Sequence, residues 1–281
     1  MLAALASWQG RVNRGSPGQR CHPSGRTHRV AHEWQRRTRP SVQERGEDVS
    51  STRQQARVAG FLYLLLALSA PIGLLYVPGK LIVSGNATAT AVNIRASEWL
   101  LRIGIASELI HQIIAVFLVL ALYRLFKTVN EAHARQMVIL GALVSVPIMF
   151  VNVLNEIAAL ILLSGADFLS VFDKPQLDAL AYLFLQLHGE GITVVSIFWG
   201  LWLFPFGMLV IRSGFIPRVF GFLLMIAGVA YVASAFAILI LPRYAPLVSQ
   251  VALPLEVAEV PIIFWLVIWG AKTRPADAPA G

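Results

Sequence analysis

The chain has 281 residues, 57% of them apolar and only 14% charged, with a mean hydropathy of +0.67. Soluble domains carry about 25% charged residues, so this chain lacks the polar side chains to coat a water-soluble globule and reads as a membrane protein. The formal charge of +8 does not point to a specific nucleic-acid partner, because residues 1–57 hold 11 Arg against four acidic residues while residues 58–281 carry a net charge of only +1.

Residues 1–56 form an Arg-rich tail, rich also in Gly, Pro and Ser and without a sustained apolar period. That composition predicts a disordered extension, able to touch anionic lipid by plain electrostatics, or a start placed too far upstream. Met1–Trp8 is apolar but lacks the basic flank and length of an export signal. Cys21 is the only cysteine, so an internal disulfide, an iron–sulfur cluster and a cysteine zinc site are all excluded.

A bilayer core needs about 20 mainly apolar residues per helix. Val58–Val77, Ile103–Tyr123, Met137–Leu163, Gly191–Ile211, Val219–Leu241 and Leu253–Ala271 meet this in turn. Leu177–Leu187 is apolar enough to be a seventh segment in the interface or to extend the fourth span. The predicted fold is therefore all-α: an integral membrane bundle of six transmembrane helices, seven if that segment counts. The expected organisation is a tail over 1–56, a helical membrane domain over 57–272 and a short C-terminal tail over 273–281. With the N-terminus inside, the cytoplasmic ends receive Arg53, Arg57, Arg124, Lys127, Arg135, Arg212, Arg218, Lys272 and Arg274. The outside receives Lys80, Arg95, Arg102, Lys174 and Arg243. Nine against five favours cytoplasmic N- and C-termini.

Ionisable groups inside a span are costly, so their positions are the best functional pointer in the sequence. Glu108, His111 and Gln112 share one face of the second span at i, i+3 and i+4, and Asn152, Asn155 and Glu156 repeat that spacing in the third. His188 and Glu190 stand at the expected mouth of the fourth span, and Glu256 and Glu259 in the first half of the sixth. On the N-in orientation all of these fall toward the outer leaflet, with Arg102 the nearest fixed cation. Glu108, His111, Glu156, His188, Glu190 and Glu259 are thus expected to line an outward acidic pocket that binds or passes a proton, a cation or a small solute. The alternatives are helix-to-helix hydrogen bonding without a ligand and a metal-dependent enzyme with ligands from His111, His188, Glu156 and Glu259. Glu108 and His111 have the carboxylate-x-x-His spacing of carboxylate-bridged metal bundles, but the second copy is missing. There is no His-Glu-x-x-His, Gly-x-Ser-x-Gly, phosphate-binding Gly-Lys-Ser/Thr loop or Gly-x-Gly-x-x-Gly, so no catalytic residue is assigned and no cofactor is named. Pro71, Pro147 and Pro205 lie within spans and predict local kinks.

Several stretches also occur in a fixed order: Arg57-Val58-Ala59-Gly60-Phe61-Leu62-Tyr63, Ala96-Ser97-Glu98-Trp99-Leu100, Leu122-Tyr123-Arg124-Leu125-Phe126-Lys127-Thr128-Val129-Asn130, Asn152-Val153-Leu154-Asn155, Leu187-His188-Gly189 and Ser213-Gly214-Phe215-Ile216-Pro217-Arg218. On these, residues 57 to about 272 resemble the bacterial membrane-protein family known as domain of unknown function 4386. The resemblance implies a polytopic helical protein of a bacterial cytoplasmic membrane, with the lipid bilayer as its partner and with no established reaction or catalytic residues to carry over.

Overall fold

In the computed structural model, residues 42–271 are described, with side chains from Thr52 onward. Residues 1–41 and 272–281, and with them most of the basic tail and the C-terminal tail, lie outside the described residues. Among the described residues there are helices and no strands. Six helices are long and apolar enough to cross a membrane: α1 (Thr52–Leu81), α3 (Glu98–Phe126), α4 (Glu131–Leu163), α5 (Lys174–Ser213), α6 (Arg218–Ile240) and α7 (Ala245–Ile268). A shorter helix, α2 (Ala87–Ala96), joins α1 to α3.

The helices outrun the apolar windows that announce them, because hydropathy marks only the middle of a span. The helical backbone leading into α1 begins at Val42, so residues 42–56, counted above with the unstructured tail, are helical. Their Gln, Glu, Arg and Ala are good helix formers, a local signal lost when the whole tail is averaged. At α4, Asn130 caps the start by accepting from the His133 backbone N–H at 3.0 Å. At α5, Asp173 and Gln176 form a reciprocal capping box, and Pro175 follows in the first turn. That cap starts α5 well before Gly191, so Leu177–Leu187 is the first part of the fourth long helix and not a separate span. Residues 86–88 read Asn-Ala-Thr; Asn86 is the N-cap of α2, accepting from Ala89 N–H at 2.9 Å.

Proline explains where the helices deviate. It lacks the N–H and crowds the carbonyl four residues earlier, so irregularity is expected one turn before it. A π segment over Ile139–Val144 precedes Pro147, α5 is interrupted at Trp202 before Pro205, and a 3-10 turn over Val257–Glu259 precedes Pro261. In α1 the π segment Ile72–Tyr76 likewise ends within one turn before Pro78.

Two apolar clusters bracket a polar layer. One takes residues from the start of α1, the end of α3, the start of α4, the end of α5, the start of α6 and the end of α7, including Tyr63, Leu122, Met137, Phe206, Leu224 and Leu266. The other takes Val77 and Leu81 from the far end of α1, Ile94 from α2, Leu101 and Ile105 from α3, Val153 and Leu160 from α4, and Ala181 and Leu185 from α5. Successive long helices therefore alternate in direction, and both ends of the bundle meet on one side, where Arg57 Nη2 donates to Ile268 O at 3.2 Å. At the opposite end α2 is tied to α5 by Arg95–Asp178 at 2.6 Å, the Asp178 side chain being 2% exposed, and by Gly85 N–H donating to Tyr182 Oη at 2.8 Å.

Candidate cation site and adjoining cavity

Glu108, Glu156 and His188 meet at the inner edge of the second apolar cluster, one each from α3, α4 and α5, with Val153 and Ala159 of that cluster on either side of Glu156 in α4. Their nearest ligand-type atoms all lie within 4.8 Å of one another, and all three residues are buried, at 3%, 2% and 5% exposure. His188 Nε2 is 3.3 Å from Glu108 Oε1 and 4.0 Å from Glu156 Oε1. The second oxygens, Glu108 Oε2 and Glu156 Oε2, are buried without a hydrogen-bond partner.

The backbone is shaped around this cluster. Asn152, one turn before Glu156, donates from Nδ2 to His188 O at 2.9 Å, while His188 Nδ1 lies 3.3 Å from Asn152 O. This reciprocal pair ties α4 to α5 and sets the imidazole plane. It requires Gly191, because a Cβ there would overlap the Asn152 side-chain amide. On the other flank, a Cβ at Gly73 in the π segment of α1 would stand 2.7 Å from Glu108 Cγ. With Nδ1–H donating to the Asn152 carbonyl, Nε2 faces the carboxylates: when protonated it donates to Glu108 Oε1, and in the neutral form it presents a lone pair. That tautomer is the one a metal-binding histidine adopts when its other nitrogen bonds a backbone carbonyl. A lone pair facing carboxylate oxygens is repulsive unless a proton or a cation lies between them.

The remaining sequence candidates are distributed differently. His111 shares a helical face with Glu108 but turns to α1, where its Nδ1 is 3.0 Å from Ser69 Oγ; it is not one of the three clustered groups. Ser107 Oγ donates to Ser69 O at 3.0 Å, adding a second link between α3 and α1. Glu259 is held by two tyrosines, Tyr63 Oη donating to Oε2 at 2.8 Å and Tyr231 Oη to Oε1 at 3.2 Å. Glu190 is exposed on α5. His188 lies inside α5, not at its mouth, because that helix starts at Lys174. Arg102 does not serve the cluster; it pairs with Glu98 at 2.6 Å on an exposed face.

A cavity of about 180 Å³ opens among α1, α3, α4, α5, α6 and α7, lined by Tyr63, His111, Trp199, Trp202, Tyr231 and Glu259 among others. A small void bounded by Glu108, His111, Gln112, Met149 and Trp199 lies between it and the three-residue cluster. The tyrosines and tryptophans here carried no sequence signal, since an aromatic in a span is usually packing. The two tyrosines become conspicuous only once Glu259 is seen between them.

Six alternating apolar helices with ionisable groups between them define a multi-pass helical membrane protein. The chain belongs to the family described as Domain of unknown function (DUF4386), whose model matches residues 58–270. No curated protein and no solved structure matches it.

Proposed function

We propose that this protein is a multi-pass protein of a bacterial cytoplasmic membrane that binds a divalent transition-metal cation between its helices, through Glu108, Glu156 and His188. The observation that carries the reading is the convergence of one imidazole nitrogen and two carboxylates that each retain an unpartnered buried oxygen. Two ligands at about 2.0–2.1 Å from a tetrahedral zinc stand about 3.3–3.4 Å apart. The His188 Nε2 to Glu108 Oε1 separation of 3.3 Å falls in that range, and Glu156 Oε1, at 4.0 Å, would have to move closer on binding. One nitrogen and two or more carboxylate oxygens suit Zn²⁺, Mn²⁺ or Fe²⁺ and leave a coordination position for water. A cation also offsets two carboxylates that would otherwise be buried with no Lys or Arg among the three clustered groups.

The apolar residues packed around the three groups favour a held ion over an open pore. The excess of Lys and Arg at the end where Arg57 meets Ile268 supports cytoplasmic N- and C-termini, and the cation site would then lie toward the outer leaflet.

The test is elemental analysis of the full chain purified in a non-ionic detergent, after zinc or manganese loading and removal of excess metal. The expected result is near one metal per chain, lost in His188→Ala and in Glu156→Gln, and retained in His111→Ala. A folded protein that retains no metal, or loses none in these variants, overturns the reading.

A further inference from the structure

The larger cavity has a chemistry different from that of the three-residue cluster. Four aromatic side chains, Tyr63, Trp199, Trp202 and Tyr231, line it together with the Glu259 carboxylate. Both tyrosine hydroxyls are committed to Glu259, one to each carboxylate oxygen. What the aromatic residues have left to offer a guest is therefore mainly ring surface. Tyr63 and Trp202 are fixed by further ring contacts with Phe206, at centroid separations of 6.4 and 5.4 Å. No Lys or Arg is among the residues lining the cavity. An intramembrane carboxylate surrounded by aromatic rings, without a protein cation beside it, calls for a positive guest. Aromatic faces attract cations most strongly where water is excluded.

We infer that this cavity binds a small organic ammonium ion, with Glu259 as its counter-charge and the Trp199, Trp202, Tyr63 and Tyr231 rings as its walls. The inference stands apart from the metal reading, since none of these five residues belongs to the three-residue cluster. A cavity of about 180 Å³ admits a head of the size of tetramethylammonium or choline and excludes a large polycyclic ligand. His111, also in the wall, would accept a hydrogen bond from a primary or secondary amine through its Nε2, because the Ser69 hydroxyl donates to Leu66 O and so accepts from His111 Nδ1–H. The same ammonium chemistry is carried by free amines and by the headgroup of choline lipids. The test therefore presents both.

The experiment titrates choline into the full-length protein in a non-ionic detergent free of choline lipids, read by tryptophan fluorescence and calorimetry. A parallel titration uses the uncharged carbon isostere, in which a tert-butyl group replaces trimethylammonium. Saturable choline binding is expected, at least about 30-fold tighter than binding of the isostere, which corresponds to about 2 kcal/mol of cation recognition. Glu259→Gln and Trp199→Leu should each weaken it at least about tenfold. Tyr231→Phe, which keeps the ring, should stay within a few-fold, and His188→Ala should bind choline as the wild type does. Circular dichroism melting of each variant separates lost binding from lost fold, and Tyr231→Phe against Trp199→Leu gives an answer even if Glu259→Gln unfolds. If free choline fails but nanodiscs of choline lipid protect the Trp199 region from fluorescence quenching, and nanodiscs of phosphatidylglycerol do not, the source is the lipid headgroup and the inference holds. Equal binding of choline and isostere overturns it, as does no response to choline in either form. Loss of metal binding in His188→Ala with choline binding intact would keep the fates of the two sites distinct.

Discussion

Gly191→Ala probes the geometry that sets the cation site. A Cβ at residue 191 would overlap the Asn152 amide, whose Nδ2 donates to His188 O. Asn152 is 6% exposed and has little room to retreat. Forcing extra volume into a packed interior costs about 1–3 kcal/mol. The lost interhelical hydrogen bond adds about 0.6–1.7 kcal/mol. Against this, replacing a mid-helix Gly by Ala returns up to about 1 kcal/mol of helix preference. The expected net loss is thus about 1–4 kcal/mol, read by thermal unfolding in detergent, with metal affinity falling by about 10–100-fold because the side-chain bond that holds α4 against α5 at His188 is lost. The decisive comparison is the same substitution in an Asn152→Ala background. There the obstruction is gone, and Gly191→Ala should become neutral or stabilising by up to about 1 kcal/mol. Destabilisation of equal size in both backgrounds would refute the steric argument.

Other outcomes follow from the same structure. Gly73→Ala brings a methyl group to 2.7 Å from Glu108 Cγ and should lower zinc affinity at least about tenfold in equilibrium titration, with far less effect on melting. Arg95→Ala leaves the buried Asp178 carboxylate without its partner and should cost about 3–5 kcal/mol in unfolding experiments, while an apolar pair at both positions recovers most of it. Arg102→Ala should change neither metal content nor stability by more than about 0.5 kcal/mol, since its pairing with Glu98 is solvent-facing.

The number and order of the long helices were legible from hydropathy, because a continuous apolar run has few other uses. Helix ends were not, since they depend on caps such as Asn130 and Asp173 that lie in polar sequence. Helical spacing put Glu108 with His111 and Asn152 with Glu156, while His188 stood out only by its place before the expected fourth span; the structure brings Glu108, Glu156 and His188 together. What spacing cannot reveal is which neighbour a helix face meets. Glu108 and His111 are one turn apart, yet the first meets α4 and α5 while the second meets Ser69 of α1. Depth alone therefore gathered His111, Glu190 and Glu259 into one expected pocket with the other three. The structure separates Glu259 into an aromatic cavity and leaves Glu190 on the exposed face of α5. Asn152 ties α4 to α5 through its side chain, and its carbonyl also accepts from His188 Nδ1, a role that spacing does not reveal.

The most direct test of the cation site is zinc-edge X-ray absorption on the zinc-loaded full-length protein, compared with His188→Ala. Four- or five-coordinate zinc is expected, with a single imidazole and oxygen ligands at about 2.0–2.2 Å, the imidazole signal vanishing in the variant. An all-oxygen, water-like shell that is the same in both proteins would contradict it.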